Sequence, residues 1–152
     1  GYGVQAKFGG LSLTGSGFQA KGINPFFTNN LGEPTLRDID SDGYLWIKQD
    51  KFHESFCQDL SEDEARVMAV TQKAPLASTF GDNITAPAWK VKSSWYQISE
   101  HDRMIHPENQ KMMSARMNPK RVIELAASHA SLASHPAEIA DLIDEAATAT
   151  GY

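Results

Sequence analysis

The feature that most constrains this chain is a strand, helix, strand succession beginning near Val91. Trp95, Tyr96 and Ile98 concentrate bulky apolar residues in a run of strand length, and Val122, Ile123 and Leu125 form a second. Between them Pro107 is placed to open a helix, on which Met113 and Met117 fall four apart on one face. A connection of that length returns the chain to the starting end of a sheet, so the two strands are expected to run parallel and close together. A last helix follows Ser134-His135-Pro136, with Ile139, Leu142, Ile143 and Ala146 on one stripe. The fold class read from this half is α/β, a short parallel sheet with crossover helices.

Upstream the texture differs. Residues 1–23 hold seven of the eleven glycines, so this segment is expected to be mostly loop. One short strand is expected at Tyr2 to Ala6, where Tyr2 and Val4 alternate with small or polar residues. From residue 24 to 90 the pattern predicts short helices joined by turns, too irregular for a sheet core. A turn at Asp40-Ser41-Asp42-Gly43 precedes the apolar group Tyr44, Leu45, Trp46 and Ile47. Phe52 and Phe56 share one face of a short helix, and Ser61 with Glu64 forms a capping box for a helix from about Glu62 to Gln72. The expected organisation is therefore an N-terminal segment (1–23), a helical region (24–90), an α/β core (91–147) and a frayed tail (148–152).

Composition narrows the function classes. A chain of 152 residues with 41% apolar content can bury the core of one domain. A net charge of −5, with no cluster of Lys and Arg, removes the basic stripe that nucleic-acid binding requires. Cys57 is the single cysteine and cannot close an internal disulfide, which fits a reducing compartment. With no apolar run of about 18 residues and no basic-then-apolar leader, a soluble cytoplasmic chain without membrane contact is expected. The first residue is Gly rather than Met, which points to processing, trimming or a piece of something longer. Asp38, Asp40, Asp42 and Gly43 imitate the opening of a calcium loop, but the twelfth position is Gln49, which cannot supply the bidentate carboxylate. His101 and His106 lack a third ligand nearby. No metal and no cofactor are expected.

In open α/β sheets the chemistry collects at the carboxyl ends of parallel strands, whose loops point into one crevice. Asp102 lies just beyond the first strand and His129 just beyond the second, so they can meet although 27 positions separate them. A carboxylate beside an imidazole fixes its tautomer and stabilises the imidazolium, as activation of a hydroxyl nucleophile requires. Without a third member, an Asp and a His at strand ends are more often turn residues or ordinary surface groups than a catalytic pair.

Four segments carry a resemblance: Ser93-Ser94-Trp95-Tyr96, Glu100-His101-Asp102-Arg103-Met104-Ile105-His106-Pro107-Glu108, Ala127-Ser128-His129-Ala130 and Ser134-His135-Pro136. Together they resemble the closing stretch of small α/β-hydrolases, the branch that includes bacterial esterase-like proteins, plant methylesterases and hydroxynitrile lyases. Asp42-Gly43-Tyr44-Leu45-Trp46-Ile47, continuing through Phe52-His53 and Phe56, is similar to the lid of that branch, and Pro87-Ala88-Trp89-Lys90 to the exit from the lid. The resemblance covers roughly residues 24 to 147. It implies a partial α/β-hydrolase fold with a helical lid, Asp102 as triad acid and His129 as triad base, with Trp46, Phe52, His53 and Phe56 either packing the lid or lining the entrance for a small ester-type substrate.

The family's nucleophile lies on a Gly-x-Ser-x-Gly elbow ahead of the lid, and this sequence has none. Gly10-Leu11-Ser12-Leu13-Thr14 lacks the second glycine, and Gly15-Ser16-Gly17 has the wrong spacing, which leaves Ser12 and Ser16 as weak candidates. Cys57 belongs to the lid-like segment and is read as packing. Two or three strands leave a sheet edge exposed, so a homodimer through that edge, or poor solubility, is expected. The sequence thus supports a serine hydrolase whose nucleophile lies elsewhere, or a non-catalytic remnant that binds an apolar ligand or a protein.

Overall fold

The computed structural model describes residues 6–8, 11–14, 17–20 and 37–151 of the chain, which divides into two compact units, 1–83 and 84–152. Among the described residues no helix is long and apolar enough to cross a membrane.

The first unit opens with strands β1 (Ala6–Phe8), β2 (Leu11–Thr14) and β3 (Gly17–Ala20), paired antiparallel in that order. Three short strands stand in the segment where one was expected. Of the strand expected at Tyr2 to Ala6, only Ala6 lies within the described residues, as the first residue of β1.

A second antiparallel pair, β4 (Arg37–Ile39) and β5 (Leu45–Ile47), occupies part of the region expected to be helical. The reversal between them is built by one side chain. Asp40 Oδ1 accepts the N–H of Asp42 at 3.0 Å and of Tyr44 at 2.9 Å, while Oδ2 accepts the Trp46 indole N–H at 2.8 Å. Gly43 sits at φ 86°, the left-handed conformation that glycine adopts without a Cβ penalty. The acidic motif is thus a hairpin turn whose central carboxylate is occupied by N–H donors.

Helix α1 (Gln49–Phe56) buries Phe52, whose ring centroid lies 4.8 Å from that of Phe56. Helix α2 (Glu62–Thr71) starts on the expected capping box: Ser61 Oγ accepts the Glu64 N–H, and the Glu64 carboxylate accepts the Ser61 N–H at 3.1 Å. It buries Ala65 and Ala69 and packs against α1. At its end the Gln72 amide acts like a neighbouring strand, accepting the Ile47 N–H at 3.0 Å and donating to the Ile47 carbonyl at 2.9 Å. This locks β5 onto the helical pair.

The second unit holds strands β6 (Trp95–Ser99) and β7 (Arg121–Leu125), which pair parallel as expected, Trp95 opposite Arg121 through Ser99 opposite Leu125. The crossover helix α3 (Pro107–Met117) begins with proline in its first turn and ends at Asn118, left-handed at φ 49°. Met113 and Met117 are half-buried, and the residues α3 buries fully are Asn109, Gln110 and Ser114. A single turn α4 (Ser131–Ser134) leads into α5 (Pro136–Thr150). Helix α5 runs through the segment expected to fray, because Gly151 closes it in the left-handed conformation. Leu142 is buried but Ile143 is 58% exposed, so the two-stranded sheet covers only part of the predicted stripe. Glu145 ties α5 to both strands by accepting from the Trp95 indole at 2.9 Å and from Arg121. Residues 84–90, grouped by sequence with the lid, fall in this unit, where the Arg116 guanidinium lies 5.3 Å from the Trp89 ring.

Ser61→Ala removes one half of the α2 capping box and is expected to cost about 1 kcal/mol, measured by denaturant unfolding. A second expectation concerns acid. Hydrogen bonds from the Trp46 indole first, and then from the Tyr44 N–H, hold the Asp40 carboxyl below the usual aspartate range. Its contribution is therefore complete above that range and is lost as pH falls through the lowered value. Trp46 fluorescence should shift in that window, below about pH 4, and Asp40→Asn should abolish the shift.

Candidate active site

The carboxyl ends of β6 and β7 stay joined beyond the last strand residues. The Glu100 N–H donates to the Leu125 carbonyl at 2.9 Å, and the His101 N–H to the Ala127 carbonyl at 3.0 Å. Asp102 follows in one loop and His129 in the other, so the pairing of the loops brings their side chains within reach. His129 Nδ1 lies 2.8 Å from Asp102 Oδ2. A carboxylate oxygen accepts, so Nδ1 carries the proton and the neutral ring keeps its lone pair on Nε2. The Asp102 side chain is 4% exposed and that of His129 is 29% exposed, which seats the acid in the interior and the imidazole at the surface.

The buried carboxylate is matched by several donors. Oδ1 accepts the N–H of Met104 at 2.7 Å and of Ile105 at 2.9 Å, an aspartate turn that bends the chain toward α3. Oδ2 accepts the Gln110 amide at 2.8 Å in addition to His129. The half-buried Tyr96 phenol is pushed up by burial first and by the Asp102 charge second, so it stays neutral at neutral pH. On the other side, Ser128 is fully buried and its Oγ accepts the Ala130 N–H at 3.0 Å, shaping the turn that holds His129.

A chain of polar side chains runs from α3 across the end of β6 to the start of α4. Gln110 Oε1 accepts the Ser99 N–H at 2.9 Å, Ser99 Oγ accepts from Gln97 Nε2 at 2.9 Å, and Gln97 Oε1 accepts from Ser131 Oγ at 2.9 Å. Ser131 stands two residues past His129. Gln97, Gln110 and Ser131 escaped the reading of the sequence because apolar periodicity ignores polar residues. The signal for Gln110 was its place on the face of α3 shared with Met113 and Met117, where a polar side chain has to find buried partners.

The other candidates lie in the first unit. Ser12 sits inside β2, opposite Lys7 on one side and Gln19 on the other, in extended backbone and not in a strand-to-helix turn. Ser16 lies outside the described residues. Trp46 is engaged by Asp40, Phe52 and Phe56 stack within α1, and His53 Nε2 lies 2.9 Å from the Leu60 carbonyl. Cys57 is fully buried, and burial first, then the charges of Asp59 and Glu64, push its thiol up, away from a reactive thiolate. Among the described residues no group of three or more His, Cys, Asp or Glu side chains could hold a metal ion.

Comparison with known proteins adds the following. The model of the alpha/beta hydrolase family matches residues 5–142. The structure is similar to a crystal structure of polyneuridine aldehyde esterase, with a TM-score of 0.62 and 11% identity, over 78% of this chain and 52% of that one. A histidine-to-alanine variant of the same esterase gives a TM-score of 0.56 and 12% identity, over 72% of this chain and 46% of that one. The chain spans about half the length of these solved structures, and at such identities the likeness concerns the fold. No curated protein sequence matches the chain.

Asp102→Ala is expected to destabilise the protein by roughly 2 to 4 kcal/mol, because it orphans the buried donors of Gln110, Met104 and Ile105. Asp102→Asn keeps an acceptor for the loop N–H groups and should cost less. Denaturant unfolding followed by Trp95 fluorescence compares the two.

Proposed function

This chain belongs to the alpha/beta hydrolase family, and we propose that it carries the acid and the base of a serine hydrolase acting on small esters or related acyl substrates. The observation that carries this reading is the 2.8 Å contact between His129 Nδ1 and a buried Asp102 carboxylate at adjoining strand ends. In the proposed reaction His129 Nε2 takes the serine proton as the oxygen attacks the carbonyl carbon. It then returns that proton to the departing alkoxide. A water molecule repeats the exchange and releases the acid and the free serine. Asp102 keeps the imidazole in the Nδ1–H form and stabilises the imidazolium between the two transfers. No redox change occurs, and the reaction needs no cofactor. A cytoplasmic setting, in which Cys57 remains a thiol, belongs to the same proposal.

The serine is proposed to come from polypeptide outside this sequence or from a partner chain, since no Gly-x-Ser-x-Gly is present. Among the described residues β6 and β7 have only each other as strand neighbours, so an added strand, including one from a second copy, has an edge to join. The missing elbow also favours a second reading, a non-catalytic binding module for an apolar ligand or a protein. The structural neighbour named an esterase supports the first.

In the protein that includes its nucleophile, His129→Ala is expected to lower kcat/KM on a small p-nitrophenyl ester by roughly a thousandfold or more, with an unchanged far-UV spectrum. Unaltered turnover rejects the proposed roles. For this chain alone, intact mass after fluorophosphonate treatment locates the nucleophile: no adduct on the folded chain is expected and places any reactive serine outside it, and a stoichiometric adduct overturns that part of the proposal by identifying a nucleophile within it.

A further inference from the structure

Building on that reading of Asp102 and His129, we propose that Gln110 is the positioning residue of the pair, holding Asp102 Oδ2 so that His129 meets it in the Nδ1–H form. The side chain is buried, at 6% exposure, in the first turns of α3. It touches three parts of the chain. Its Oε1 accepts the Ser99 N–H at the end of β6, and its Nε2 donates to the Ile105 carbonyl at 2.8 Å and to Asp102 Oδ2 at 2.8 Å. Both amide hydrogens are therefore used on acceptors, and the amide oxygen is used on a donor.

This pattern admits one orientation of the amide. Turned over, the NH₂ group would face the Ser99 N–H, and the oxygen would face the Ile105 carbonyl and a carboxylate, three like-with-like contacts in a buried site. The amide plane is thus set by the strand end. The loop N–H groups of Met104 and Ile105 grip Oδ1 alone, which leaves the carboxylate a pivot about that atom. Gln110 supplies the second fixed point, on the same oxygen that His129 approaches. Ser99 is in turn linked through Gln97 to Ser131, the first residue of α4 and two positions past His129, so both members of the pair are referenced to one strand end. A residue needed only for volume would be replaceable by methionine. A residue needed for its donors would not.

The test uses the full chain labelled with ¹⁵N-histidine. Long-range ¹H–¹⁵N spectra near pH 8.5, about two units above an ordinary imidazole, report which ring nitrogen carries the proton, and His129→Gln assigns the signal. The unaltered chain is expected to show His129 in the Nδ1–H form. Gln110→Met, similar in volume but without donors, should lower the Nδ1–H to Nε2–H ratio about tenfold, the size of one charge-assisted hydrogen bond, with the remaining spectrum intact. Gln110→Glu, which sets a carboxylate against Oδ2, should do the same. An unchanged ratio in Gln110→Met overturns the positioning role. Asp102→Asn separates the two levels. If it moves the ratio and Gln110→Met does not, the inference about Gln110 fails while the acid–base reading stands; if neither moves it, the reading itself fails. Should the Gln110 variants not fold, the unaltered chain still decides. Both Nε2 protons of Gln110, identified by their proximity to Asp102 and Ile105, are expected to exchange slowly with water, and exchange as fast as an exposed glutamine overturns the role.

Discussion

A carboxylate taken out of water loses hydration worth several kcal/mol unless fixed donors replace it, and the second unit is organised around meeting that demand at Asp102. The loop after β6 turns two backbone N–H groups onto one oxygen. The crossover helix sends Gln110, and the loop after β7 sends His129, to the other. The carboxylate is thereby the point where one loop, one helix and a second loop are registered to one another. Gln110 is one of three polar residues that α3 buries, with Asn109 and Ser114, where an apolar face would ordinarily cover a sheet.

The first unit uses the same device on a smaller scale. Asp40 closes the β4–β5 reversal through two backbone donors and one indole, and Gln72 completes the hydrogen bonding of Ile47 as a third strand would. Short strands of three residues bury little apolar surface, so side chains that substitute for missing backbone partners carry a larger share of their order. The chemistry proposed for the second unit needs such substitution most, because a general base is effective only when its tautomer is fixed before the substrate arrives.

Much of this was legible beforehand wherever the determining contacts are close in sequence. The capping box of Ser61 and Glu64 spans three residues, the proline starts of α3 and α5 are single-residue signals, and the parallel crossover follows from the spacing of two apolar runs. In the glycine-rich opening three strands stand where one was expected, because glycine content says little about where strands as short as three or four residues begin and end. Tyr44 to Ile47 was misread because a hairpin of three-residue strands offers too few alternations to declare itself. Ile143 satisfied the helical stripe and still stands exposed, since periodicity gives the direction of a face and not the width of what covers it.

From the sequence alone came the fold class, the order of strand, helix and strand in the second unit, and the placing of Asp102 and His129 at neighbouring strand ends. These follow from local propensity and from the rule that a crossover returns to the same end of a sheet. Only the tertiary structure decided that His129 presents Nδ1 to Asp102, that Gln110 shares the same oxygen, and that Ser131 reaches Gln97. Those contacts join residues 27, 8 and 34 positions apart, and a hydrogen bond depends on tenths of an ångström and on direction. No spacing rule along the chain fixes either.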